Sequence, residues 1–293
     1  MRRWITILVI SVCGIAGTTR AAEVEPNAEA AEAYNGYVEA FKANDMVKAE
    51  SRLKAAIAAQ TDWGQPYVAL GELYKVQKKY ADAAATLKAG TERMPDDAHA
   101  FMSLGDTYRL QEAYSLAFPA LERSLALDSN LVEARLILAT AYFDNAEYAK
   151  AAEQYEAYTV KKTGDASAWL RLAEVQKKLK KEGAAINAYK AAIKADPGSF
   201  TPHYNLGNLY LESEEFTDAE DEFGQAVKVD PKNFKAQFNL AIAIHSQGRL
   251  KDALAAYEKV ITIGGDKSAA KSTVASARQT IKGLKEQIAA GGE

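Results

Sequence analysis

One spacing governs this chain. Slid against itself, the 293-residue sequence matches at intervals of 34 residues without insertion, so that Leu70-Gly71, Leu104-Gly105, Leu138-Ala139, Leu172-Ala173, Leu206-Gly207 and Leu240-Ala241 fall in register. Twelve residues beyond each small residue stands an alanine, Ala83, Ala117, Ala151, Ala185, Ala219 and Ala253, with Ala49 one period earlier. Large side chains hold other offsets: Tyr74, Tyr108, Tyr142 and Tyr210 in the first half of the period, then Leu53, Leu87, Leu121, Tyr155, Tyr189, Phe223 and Tyr257 in the second. A unit this short cannot bury its apolar face alone, so a sustained period means copies stacked on one another.

The apolar residues within each period recur at three and four, the helical spacing, and the composition is rich in Ala, Lys, Glu and Leu with only seven prolines. The fold expected is all-α. Gly207 then needs explaining, because glycine inside a helix costs about 1 kcal/mol relative to alanine. A glycine facing Ala219 across a helix pair would let the two helices approach until Leu206, Tyr210 and Phe223 interlock. Pro95, Pro197 and Pro231, in "MPDD", "ADPGS" and "VDPKN", mark the ends of units, where proline stops a helix.

Small residues facing each other between two antiparallel helices at a period of 34 resemble the tetratricopeptide repeat. The resemblance covers residues 30–267 as seven repeats, 30–63, 64–97, 98–131, 132–165, 166–199, 200–233 and 234–267. It implies a right-handed superhelical solenoid of seven antiparallel helix pairs. Segment 268–293 reads as a capping helix and tail, with Val274, Ala277, Ile281, Leu284 and Ile288 on one seam and a polar opposite face. The same seam could instead join two chains as a homodimer through 268–290. Departures are expected at Gly36 and Tyr37 in the first repeat, at Pro119 as a kink, and at Tyr158 with "TVKKTGD", where the junction of repeats four and five reads as irregular or as a hinge.

Residues 1–21 have the layout of a secretory signal peptide: Arg2 and Arg3, an apolar run from Trp4 to Ala16 too short to span a bilayer, and small residues before a cut after Ala21. A linker follows over 22–29. Cys13, the sole cysteine, lies in "ISVC", which resembles a lipoprotein processing site; a cysteine discarded with the signal is the simpler reading. The expected location is the bacterial periplasm or the secreted medium. The formal net charge of −3 becomes more negative once Arg2, Arg3 and Arg20 leave, which argues against nucleic acid as a partner.

No catalytic motif, cofactor loop or metal constellation is evident. His99, His203 and His245 fall in separate repeats with no second ligand one turn away, so no zinc site and no enzymatic activity are expected. The resemblance places one stripe of each first helix on the concave side, where the fifth repeat position reads Tyr34, Val68, Met102, Leu136, Leu170, Tyr204 and Phe238. Charges on that stripe, Glu72 with Lys75, Asp106 with Arg109 and Glu174 with Lys177, are spaced to neutralise one another. The last two repeats offer Tyr204, Asn205, Asn208, Phe238, Asn239, Ile242 and His245, apolar contacts beside amides that could bond a peptide backbone. The family's lysine and asparagine carboxylate clamp is not expected: Asn205 and Lys235 match two of its positions, but Leu170, Glu174 and Asn239 occupy others. The resemblance implies a non-enzymatic scaffold or adaptor of the cell envelope that holds other proteins; a carrier of a small apolar ligand is the alternative.

Overall fold

The computed structural model describes residues 24–265 and 267–291; the expected signal peptide, its cleavage after Ala21, and Cys13 lie outside the described residues. All regular structure among the described residues is helical. The chain divides into two compact units between Glu112 and Ala113. In the first unit stand α1 (Ala28–Lys42), α2 (Met46–Ala59), α3 (Gln65–Val76), α4 (Tyr80–Arg93) and α5 (Ala98–Leu110). The second holds α6 (Tyr114–Leu127), α7 (Val132–Asp144), α8 (Tyr148–Lys161), α9 (Ala166–Lys178), α10 (Glu182–Ala195), α11 (Phe200–Glu212), α12 (Phe216–Val229), α13 (Phe234–Ser246) and α14 (Leu250–Gly264). A short 3-10 turn, Ser268–Ala270, then leads into α15 (Lys271–Ala289).

Short polar side chains start several of these helices. The carboxylate or amide oxygens of Asn27, Asp97, Asp165 and Asn233 accept from the first free amides of α1, α5, α9 and α13, which satisfies donors the helix itself leaves open. Within pairs the turn is stereotyped. Asn44, Lys78, Glu112, Ala146, Lys180 and Glu214 all have φ of 57° to 62°, and Gly248 has 79°; they stand one period apart. The next amide donates back five residues in five of these turns, Asp45 to Ala40, Lys79 to Tyr74, Glu147 to Tyr142, Lys181 to Gln176 and Glu215 to Tyr210, at 2.8 to 2.9 Å. That bond closes a Schellman motif, whose left-handed position favours glycine. A side chain there costs about 1–2 kcal/mol, so Ala146→Gly is expected to stabilise the protein by about 1 kcal/mol, read as a rise in Tm, although glycine weakens most helices.

The small residues lie where the helices meet. Ala49, Ala83, Ala117, Ala151, Ala185, Ala219 and Ala253 are all 0% exposed. A Cβ on Gly71 would fall 2.4 Å from Leu87 Cγ and 3.3 Å from the Ala83 carbonyl oxygen, so the backbones of α3 and α4 are in near contact there. At Gly207 the nearest atoms belong to the ring expected to interlock there. A Cβ would sit 2.9 Å from Cδ1 and Cε1 of Phe223, one turn beyond Ala219 on α12. The alanine brings the helices together and the glycine then receives the large ring beyond it.

The expected irregularities take local forms. α6 holds Pro119 in its interior, where the ring removes one backbone donor. The "TVKKTGD" junction is tied rather than loose: Tyr158 donates to Asp165 Oδ2 at 2.9 Å, Trp169 Nε1 donates to the Thr163 carbonyl at 2.9 Å, and Asp165 caps α9. These bonds do the work a proline does at other junctions, and the division between compact units falls instead at Glu112–Ala113. In α1, Gly36 leaves room for Arg52, while Tyr37 joins Tyr34 and Phe41 with ring centroids 5.3 and 5.8 Å away.

The chain ends as a covered stack. Val274, Ala277, Ile281 and Leu284 of α15 are buried, and the last three join Ala241, Ile244, Ala253, Ala256, Tyr257 and Val260 in one core. Gly264 admits this helix, since a Cβ there would meet Val274 Cγ2 at 2.4 Å. The capping seam is thus consumed within the chain.

Candidate functional site

The first helices of the pairs carry the face in question. Their fifth-position residues, Tyr34, Val68, Met102, Leu136, Leu170, Tyr204 and Phe238, are all partly exposed, neither sealed in the core nor free in solvent. In α11 and α13 their rings rest on the large residue of the following helix. Tyr204 meets Phe223 edge-on at 5.9 Å and stacks on Phe200 at 5.4 Å; Phe238 meets Tyr257 edge-on at 5.7 Å. Residue 24 of the repeat therefore floors residue 5. That relation was hidden in the sequence because the partners are 19 residues apart on different helices, although both fall on the period.

Asn239 links α13 to α11. Its Nδ2 donates to Asn208 Oδ1 at 2.7 Å and reaches Tyr204 Oη at 3.4 Å. One bond between two amides leaves the Asn208 NH2 group and the Asn239 carbonyl oxygen with capacity for a further partner, one donor side and one acceptor side, as a peptide backbone would require. His245 meets Tyr257 edge-on at 6.2 Å, and Ile242 packs with Phe238 against the core beneath the cap. Tyr204, Asn208 and Asn239 thus form one group, and Phe238, His245 and Ile242 a second joined through Tyr257 and its core. Asn205 departs from both, lying near the Tyr189 hydroxyl of α10.

The charge pairs are partly rearranged from the expected ones. Lys75 meets Glu72 at 2.9 Å and Arg109 meets Asp106 at 2.8 Å. Glu174 and Lys177 do not pair with each other: Glu174 takes Arg171 at 2.9 Å, and Lys177 crosses to Glu212 of α11 at 2.9 Å. A bridge to the neighbouring helix anchors two elements, and an exposed ion pair within one helix is worth only a few tenths of a kcal/mol. His203 lies buried with Nδ1 2.7 Å from Glu222 Oε2, which commits it to holding α11 against α12.

The flooring phenols resist ionisation. Burial first, then the nearby Glu174 carboxylate, pushes Tyr189 up to about 12; burial alone does the same for Tyr257. Both exceed the ordinary 10.0, so the neutral form is favoured in the folded state. The stabilisation this implies is complete below pH 10 and lost as pH rises through the folded values. Replacing both residues by phenylalanine is expected to move the alkaline unfolding midpoint upward, as followed by circular dichroism.

Comparison with known proteins agrees with the helical-repeat fold. The profile described as tetratricopeptide repeat matches residues 68–131 and 204–268, and a second, described as TPR repeat, matches 183–214. No curated protein matches the sequence. Among solved structures, the C-terminal part of a TPR repeat-containing protein from Cytophaga hutchinsonii is 13% identical, covers 82% of this chain and 98% of its own, and superposes with TM-score 0.70. MamA is 24% identical over 60% of this chain and 96% of its own, TM-score 0.55. YrrB, described as a TPR protein with an unusual peptide-binding site, is 19% identical over 67% and 97%, TM-score 0.56. At these identities the likeness is one of fold.

Proposed function

The chain belongs to the tetratricopeptide repeat family, and from that premise we propose that it is a non-enzymatic scaffold of the bacterial cell envelope, binding a peptide or helix of a partner protein along the first-helix face of α11 and α13. The observation that carries this reading is the Tyr204, Asn208 and Asn239 group. A half-exposed ring and two mutually fixed amides give apolar contact beside a donor and an acceptor already held in place, so little side-chain freedom is lost on binding. Phe238 and Ile242 extend the apolar strip, and His245 ends it.

Export rests on residues 1–21, whose charge and apolar pattern is that of a cleaved signal peptide, with the periplasm as destination and lipidation at Cys13 as the lesser alternative. No helix among the described residues is long and apolar enough to cross a membrane. A homodimer through 268–290 would have to displace the seam from its own core, which favours the capping role. Crosslinking in intact cells followed by mass spectrometry tests the proposal. Tyr204→Ala with Phe238→Ala is expected to lower recovery of a discrete envelope partner at least tenfold while the protein stays folded. Undiminished crosslinking to the same partner would place its site elsewhere.

A further inference from the structure

Beyond the partner face, the second unit carries two facing-away ridges of opposite charge. On α15, Lys271, Ala275, Arg278, Lys282 and Lys285 succeed one another at intervals of three and four, all exposed, on one side of the buried seam. The flank of Ser272, Ser276 and Gln279 is uncharged until Glu286, its single carboxylate. Lys285 is 3.5 Å from Glu258; Lys271, Arg278 and Lys282 make no ion pair among the described residues. From Glu212 to Glu222 the sequence has seven carboxylates and no cation. Three are spent within the fold: Glu212 on Lys177, Glu220 on Arg249 and Glu222 on His203. Glu214 and Glu215 in the turn, and Asp218 and Asp221 on α12, are exposed and pair with no cation among the described residues.

We propose that these ridges are the two halves of a self-association contact, in which α15 of one copy docks on α12 of another. Arg278 to Lys285 spans about 10 Å at the helical rise, and Glu215 to Asp221 about 9 Å, so three cations can meet three carboxylates along two rods of similar length. A bilayer surface fits the same cations less well. The apolar seam of α15 is already buried and has nothing to insert, and so few lysines give weak adhesion alone. The contact joins different patches on the two copies, so it propagates beyond a dimer unless the geometry closes.

Sedimentation velocity of the mature chain tests this. Self-association is expected at about 20 mM salt and should vanish near 500 mM, where screening shortens to a few ångströms. A variant carrying Arg278→Glu, Lys282→Glu and Lys285→Glu should remain monomeric, as should one carrying Glu215→Lys, Asp218→Lys and Asp221→Lys. Mixed, the two should associate, because each then offers the ridge the other lacks. Recovery only on mixing cannot arise from misfolding of either variant. A monomer at low salt, association that survives both reversals, a mixture that stays monomeric, or binding only to anionic vesicles would each overturn the proposal.

Discussion

Truncating Phe223 to alanine is expected to lower stability by about 3–5 kcal/mol, the range for removing a sealed aromatic ring. The ring is 0% exposed, fills the space over Gly207 and supports Tyr204 from beneath. Few neighbours could close the cavity, since Leu206 and Ala226 are also fully buried and set by their own helices. Repeats couple chiefly to adjacent repeats, so the loss should concentrate in α11 to α14. Hydrogen exchange would read it there as faster amide exchange, beside a lower urea midpoint. The same change should weaken the partner face, because Tyr204 loses its floor.

Gly207→Ala should also destabilise, by about 1–3 kcal/mol, against the gain of about 1 kcal/mol that helix propensity alone offers. A methyl group 2.9 Å from two ring carbons forces Phe223 to move, and a sealed ring has nowhere to go. The sign is therefore set by one neighbour. In a Phe223→Ala background the obstacle is gone, and the same glycine-to-alanine change should stabilise by up to about 1 kcal/mol. A double-mutant cycle measured by urea unfolding gives the coupling. Additive effects would mean that Phe223 is not what holds position 207 to glycine.

Much of this was legible from the sequence, for a physical reason particular to repeats. Each offset is sampled seven times, so the buried alanines from Ala49 to Ala253 stand out from chance where one alanine would not. Helical pattern, small-residue seam and capping helix all follow from local spacing. Of the partner face, the side chains could be named but not their connections. Nothing in the order of residues said that Asn239 would reach Asn208 while Asn205 turned to Tyr189, or that Lys177 would prefer Glu212 to the nearer Glu174. Those choices depend on distances between helices that only packing sets.

The turns show the same boundary from the other side. Gly248 and Asn44 are residues such a left-handed cap favours, but Lys78, Glu112, Ala146, Lys180 and Glu214 share the backbone without that chemistry, so the sequence signals the turn at only two of the seven copies. A helix pair that must reverse within three residues, with an alanine seam drawing its arms together, leaves the chain no easier path than the Schellman turn, and residue preference yields to closure. By itself, then, the sequence determined the period, the helices and the small-residue seam, because these follow from spacing along the chain. Only the tertiary structure decided how tightly the Phe223 ring closes over Gly207, which amides join, and where the chain divides into units, because those depend on which atoms close packing brings within reach.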